Sequence, residues 1–112
     1  MPNNLPMAAY FRVNNTSDQA LDLTDVSSPA FGHVMLHQTQ RTGGMAKMVM
    51  AHTVKVPAQG SFVAEPGGYH VMLEQAAAPL VVGQTSALTF TFSDNSRLLA
   101  DCQIKSPASV RY

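Results

Sequence analysis

The chain has 112 residues, seven basic and seven acidic side chains, and a formal net charge of zero at neutral pH with histidine uncharged. This length suits a single domain, and the scattered charges form no basic stripe, which argues against nucleic acid as a partner. No apolar run is long enough to cross a membrane as a helix, so we expect a protein that does not span one.

Short segments of alternating apolar and polar residues follow one another along the whole chain. Such alternation is typical of β-strands that bury one face, and turn residues separate the segments at intervals of about 8–12 residues. The predicted strands cover residues 7–13, 20–28, 33–39, 45–56, 61–65, 69–75, 87–94 and 97–106. We expect a loop with a short strand or turn over 76–86.

The sequence therefore predicts an all-β fold, either a sandwich or a barrel. Since the chain has no internal repeat and no linker, we expect one domain over residues 1–112, in which 1–6 and 106–112 are loose tails. The single Cys102 can form neither an internal disulfide nor a CxxC pair, and we expect it to be a small buried or half-buried residue.

Histidine and methionine sort onto one face of three predicted strands. The chain has seven Met and four His, and residues two apart share a face of a strand. The sorted residues are His33, Met35 and His37 on the first strand, Met48, Met50 and His52 on the second, and His70 and Met72 on the third. Aliphatic residues such as Val34, Leu36 and Val71 take the opposite face. A single Met or His in a strand is most often structural, so it is the repeated arrangement that indicates a site.

Four of these residues, His37, Met48, His70 and Met72, have the spacing H-x10-M-x21-H-x-M. Together with the flanking text, this spacing resembles the signature of the periplasmic copper chaperones of the PCu(A)C type. The similar text runs from Ala8 to Ile104 and includes "AAYFRVNNTSDQALDLTDVSSPA", "LHQT", "GGMAKM", "VKVPAQG", "PGGYHVML" and "PLVVGQTSALTFTF".

The resemblance implies a cupredoxin-like Greek-key β-sandwich that binds Cu(I) outside the cytoplasm and passes it on. It implies that His37, Met48, His70 and Met72 are the copper ligands. It also implies that the recipient is the copper site of cytochrome c oxidase, reached directly or through a Sco-type thioredoxin-like protein. His33, Met35, Met50 and His52 lie outside the family's core motif and are candidate secondary ligands.

The chemistry of these residues agrees with that implication. Thioether sulfur is a soft donor that selects Cu(I) over harder divalent ions, whereas zinc normally takes Cys, His or carboxylate ligands and calcium takes oxygen. Thioethers do not form disulfides, which suits an oxidising compartment. Only the two imidazoles titrate, with a reference pKa of about 6.5.

The segment "HVMLHQTQRTGGMAKMVMAH" predicts a hairpin that extends the site. If Thr42 and Gly43 are the central turn residues, the predicted pairs are His37–Met48, Met35–Met50 and His33–His52. Opposed Cβ atoms in a hairpin are about 4.5–5.5 Å apart. This register would form a His/Met ladder able to hold a second, weaker copper ion; the alternative, which we favour slightly, is that these are exposed or partner-facing apolar residues. A bulge at Gly43-Gly44 would break this register.

Three other readings remain open on the residues alone. A blue-copper electron-transfer protein needs a Cys thiolate together with His, but neither His nor Met follows Cys102. We expect no enzyme, because the chain offers no nucleophile–base pair and no paired carboxylates beside the site. A β-sandwich interaction module without metal is the third reading.

The segment "MPNNLPMAAY" has no basic region followed by an apolar one, so it does not read as a signal peptide. This leaves a cytosolic chain or the mature form of a secreted one. The resemblance and the thioether chemistry favour a periplasmic or otherwise extracytoplasmic location.

Overall fold

The computed structural model describes residues 6–78 and 83–105, and within these ranges all regular structure is β. The strands are β1 (Met7–Ala9), β2 (Phe11–Asn15), β3 (Leu21–Ser27), β4 (Phe31–Thr42), β5 (Met45–Met50), β6 (Val54–Val56), β7 (Gly60–Ala64), β8 (Tyr69–Ala76), β9 (Thr85–Phe92) and β10 (Arg97–Lys105). No helix that could span a membrane occurs in the described ranges. The all-β prediction is confirmed.

Eight strands form one antiparallel sheet in the order β5-β4-β8-β1-β10-β9-β3-β6, and β2 pairs with β7 in a separate ribbon. The short strand β1 lies at the centre, where it joins β8 on one side to β10 on the other. A cavity is lined by both β3 and β4, which lie near opposite ends of the strand order. The long sheet is therefore curled, so that its two ends approach each other.

The core lies inside this curl. Its largest fully buried apolar side chains are Phe90, Met7, Leu23, Leu73, Leu88, Ile104, Val56 and Val71. The β2–β7 ribbon adds aromatic packing: the ring centroid of Phe11 is 4.6 Å from that of Phe90, and Phe62 is 4.8 Å from Tyr69. Full burial of a Leu, Ile, Val, Phe or Met side chain contributes about 1.5–3 kcal/mol. The ribbon thus packs against both β9 and β8.

Two of the predicted strands are each divided in the structure. The segment 7–13 breaks at Tyr10, after which the chain leaves the large sheet and pairs with β7. The segment 45–56 breaks at 51–53, where the chain leaves β4 and goes on to pair with β3. Alternation of apolar residues reports which face is buried but not which strand is the neighbour, so it continues through both breaks. His52 therefore lies between strands and not on one.

The turn between β4 and β5 differs from the predicted one by a residue. Gly43 and Gly44 have positive φ angles of 61° and 81°, and Thr42 pairs with Met45. Positive φ at both central residues is the type I′ pattern that matches the twist of a hairpin. The predicted turn would have required positive φ at the β-branched Thr42, which is sterically disfavoured.

The predicted hairpin pairs are consequently wrong. Paired positions shift by two residues, which sets His37 opposite Met50 and Met48 opposite Thr39. Neither Met35–Met50 nor His33–His52 forms a pair. Because the shift is an even number of residues, the sorting of side chains onto faces is unchanged.

Some predictions fall on residues outside the described ranges. The expected tails, 1–6 and 106–112, lie there except for Pro6, and so do residues 79–82 of the expected loop. Cys102 lies on β10 and is buried, as predicted. Burial raises the pKa of its thiol, which disfavours a reactive thiolate.

We predict that Gly43→Ala together with Gly44→Ala destabilises the domain by about 1–2 kcal/mol per site, because L-residues resist the left-handed conformation. No described atom lies within 4 Å of a Cβ added at either glycine, so the cost is conformational. Urea unfolding measures it. Gly68→Ala is the control, since Gly68 lacks a positive φ and an added Cβ meets its nearest atom at 3.6 Å. Equal stability of the two variants would contradict the turn assignment.

Candidate metal centre

Strands β4 and β8 bring histidine and methionine into directly opposed pairs. His37 pairs with His70, and Met35 pairs with Met72. Opposed residues have Cβ atoms about 4.5–5.5 Å apart, and these two pairs follow each other on the same face. The imidazole rings of His37 and His70 have centroids 5.8 Å apart and are nearly perpendicular, at 85°.

Strand β5 adds two thioethers on the other side of His37. Met50 is directly opposite His37, and Met48 is one same-face position nearer the turn, opposite Thr39. A diagonal neighbour in a sheet lies about 7–8 Å away, within reach of a long side chain. Met48 and Met50 are 44% and 49% exposed. We call the six residues on β4, β5 and β8 the His/Met cluster: Met35, His37, Met48, Met50, His70 and Met72.

The two imidazoles lie at different depths. His70 is fully buried, while His37 is half-buried. The start of β8 is held beside β4, because the backbone N–H of Thr39 donates to the carbonyl of Gly68 at 3.0 Å. Gly67 has a φ of 86°, so the Pro-Gly-Gly turn needs glycine at that position.

Burial disfavours the charged form of both imidazoles. It lowers the pKa of His70 below its ordinary value of 6.5, against a hydrogen bond with the Gly68 backbone that raises it, and His37 lowers it further. Burial also lowers the pKa of His37, where the Glu74 carboxylate acts in the opposite direction. A neutral imidazole is the form that binds a metal ion.

One imidazole nitrogen is available to a ligand. His37 Nδ1 is buried and has no hydrogen-bond partner among the described residues. Buried polar atoms in folded proteins are nearly always hydrogen-bonded, and leaving one without a partner costs about 1–3 kcal/mol. A metal ion on this nitrogen would remove that cost, which fits the donor set around it.

The remaining two histidines lie away from the His37–His70 pair. His33 is opposite Glu74, with Nδ1 3.5 Å from Oε1, and both side chains are partly exposed. A contact of this kind between exposed side chains contributes little to stability. His52 is exposed in the segment after β5. In the described part of the chain, no three His, Cys, Asp or Glu side chains form a metal-binding group.

Sequence reasoning missed the pairing of β4 with β8. It set Met35 opposite Met50, whereas the structure sets Met35 opposite Met72 and gives His33 the partner Glu74. More than twenty residues separate the two strands, so no turn fixes their register. The sequence did show that His and Met alternate with aliphatic residues in both β4 and β8. That pattern indicates that the His and Met residues share a face, but it does not give the pairing register.

Residues 1–104 match the family described as "Putative lipoprotein LpqE-like". Among curated relatives, uncharacterized protein RP573 of Rickettsia prowazekii is 29% identical over 98 residues, covering 87% of this chain and 54% of the relative. "Putative lipoprotein Lxx21020" of Leifsonia xyli subsp. xyli is 34% identical over 90 residues, covering 80% and 54%. The chain thus spans about half the length of these two relatives.

Solved structures with a similar fold include the Cu(I) form of DR1885 from Deinococcus radiodurans, with 30% identity, a TM-score of 0.65, and coverage of 96% of this chain and 80% of that one. Its apo form is 33% identical with a TM-score of 0.66 and covers 99% and 74%. The copper-bound PCuAC domain from PmoF2 is 21% identical with a TM-score of 0.71, covering 96% and 84%. The cupredoxin-like β-sandwich prediction is confirmed.

We predict that the metal-free domain loses stability as the pH falls below 6.5, the ordinary histidine value. The folded pKa values of His37 and His70 are lowered, so the unfolded chain binds protons that the folded chain excludes. Urea unfolding between pH 7.5 and 5 measures the slope. His70→Gln should flatten it, and His52→Gln, at an exposed position, should not. An unchanged slope in His70→Gln would contradict the assignment to His70.

Proposed function

This chain belongs to the LpqE-like family and has the fold of PCuAC domains, and on that premise we propose that it binds Cu(I) and passes it to an acceptor protein. The observation that carries the proposal is the His37–His70 pair, two neutral imidazoles that share one sheet face with thioethers from β5 and β8. The Cu(I)-bound state of a relative with 30% identity supports it.

The proposed ligands are His37, His70, Met48 and Met72. Met72 follows His70 by two residues and is a diagonal neighbour of His37. Met48 is the diagonal neighbour on the other side and has the H-x10-M spacing after His37. Four neutral donors leave the single positive charge of Cu(I) uncompensated. Because it has no anionic ligand, the set favours Cu(I) over Cu(II). It also lacks the oxygen ligands that calcium prefers and the thiolate or carboxylate ligands common in zinc sites.

The depth of the donors suits release by ligand exchange. His70 is fully buried, whereas Met48 is 44% exposed on the edge strand β5. An acceptor thiolate therefore reaches copper from the side of Met48. The acceptor thiol gives up its proton to solvent, and the copper–sulfur bond to Met48 breaks as the bond to the resulting thiolate forms. Further acceptor ligands then replace Met72, His37 and His70, and copper remains Cu(I) throughout. The thiolate charge neutralises the ion, which favours transfer.

Our proposal for the acceptor is the copper site of cytochrome c oxidase, reached directly or through a Sco-type thioredoxin-like protein. We place this carrier outside the cytoplasm, since the matched family and one relative have lipoprotein names and thioether ligands tolerate an oxidising compartment.

A carrier role, without catalysis, accounts for the donor set. An electron-transfer role is less favoured because Cys102, the one thiol of the chain, is buried on β10 with β1 between that strand and β8.

We predict that Met48→Leu and Met72→Leu each weaken Cu(I) binding by about tenfold or more, given that 1.4 kcal/mol of lost donor interaction is a factor of ten. Leucine nearly conserves the volume of methionine, so the fold should persist. Anaerobic competition with a chromophoric Cu(I) chelator measures the affinity. Met45→Leu, at a 75% exposed position of the same strand beside the turn, is the control. A double Met48/Met72 variant with wild-type affinity would rule out this ligand set.

We further predict that the Cu(I)-loaded domain gives copper to a reduced CxxC protein without unfolding. Methionine ε-methyl NMR signals should return to their metal-free positions while amide signals of the core strands stay dispersed. Transfer that proceeds only in denaturant would favour storage over delivery.

A further inference from the structure

A cavity of about 270 Å³ opens between the two ends of the curled sheet. Its walls are residues 23–26 of β3, residues 34–36 of β4, and residues 50–52 at the end of β5. We call it the seam cavity. It is distinct from the row formed by His37 and His70, neither of which lines it.

The seam cavity exists because β5 is shorter than β4. The last backbone hydrogen bond between the two strands runs from the N–H of Ala51 to the carbonyl of Leu36, at 2.8 Å. Beyond it the chain leaves β4 and crosses to β6, which pairs with β3. Residues 33–35 of β4 are left without a partner on the β5 side, and the space there faces β3.

Three of the four candidate secondary ligands named from the sequence line this cavity. They are Met35, Met50 and His52, while the fourth, His33, is engaged with Glu74. Two thioethers and one imidazole are a soft, neutral donor set suited to a monovalent soft ion. Asp25, on the facing wall, supplies a negative charge that attracts a cation.

The rest of the wall is mostly apolar, with Leu23, Val26, Val34, Leu36 and Ala51. Met50 is 49% exposed and both His52 and Asp25 are exposed, so the cavity is open to solvent on that side. The cavity also adjoins the first site. Met50 is directly opposite His37, and Met35 is directly opposite Met72.

We propose that the seam cavity is a second binding site for a soft monovalent ion of the Cu(I) class, held by Met35, Met50 and His52. All three donor residues line the same space. Exchange with the neighbouring His37 site rests on the proposed function, but binding in the cavity does not. The domain then holds two ions, one on the sheet face and one at the seam.

The test is anaerobic titration of the full chain with Ag(I), a redox-inert probe for Cu(I), followed by native mass spectrometry and methionine methyl NMR. We expect two Ag(I) ions per chain. One should shift the signals of Met48 and Met72, and the other should shift Met35, Met50 and the ring of His52. The variant Met35→Leu/His52→Ala should retain one ion, with the Met48 and Met72 shifts intact. His33→Ala/Met45→Leu, the same number of changes outside the cavity, should retain both.

Three results would overturn the seam site. The first is a single ion per wild-type chain with the His52 signal unshifted, and the second is two ions still bound by Met35→Leu/His52→Ala. The third is a Met50→Leu variant that loses only the ion that shifts Met48 and Met72. The single variant His52→Ala repeats the Ag(I) titration of the double variant. It changes only an exposed position and leaves the half-buried Met35 in place. If Ag(I) shifts the His52 ring signal of the wild-type chain but leaves the Met48 and Met72 signals unshifted, the proposed ligand set is refuted and the seam site is supported. The two ideas therefore fail separately.

Discussion

The pairing register between β4 and β8 is the constraint on which the rest of the structure depends. It sets His37 opposite His70 while Val71 and Leu73 on the other face of β8 are fully buried. A slip of one residue would turn every side chain of the strand to the opposite face. That slip would remove Val71 and Leu73 from the face on which they pack and would separate the imidazoles. The hydrophobic core thus holds the donor atoms in place.

Burial of the imidazoles joins stability to ligand chemistry. The burial that excludes protons from His37 and His70 also keeps their lone pairs available. The cost is visible at His37 Nδ1, which has no hydrogen-bond partner among the described residues. Sites that break a packing rule in an otherwise consistent fold are where function is expected.

The sequence was sufficient to predict faces but not neighbours. Alternation correctly assigned Val71 to the core and His70 to the other face, and the expectation that the lone Cys102 is buried or half-buried is confirmed. It could not locate the break at Tyr10, because a change of strand partner leaves the alternation intact. It chose the wrong turn because Thr42, Gly43 and Gly44 allow two registers with identical faces, and only backbone sterics separate them.

The uneven exposure of methionine determines how the domain responds to oxidants. Met48 and Met50 are nearly half exposed on an edge strand, whereas Met7 is fully buried in the central strand. Oxidation to the sulfoxide replaces a soft sulfur donor with a polar oxygen and is reversible by dedicated reductases. Peroxide or hypochlorous acid would therefore reach the β5 thioethers long before the core. The chain would lose affinity for soft metals while it remained folded, and enzymatic repair could restore that affinity without new synthesis.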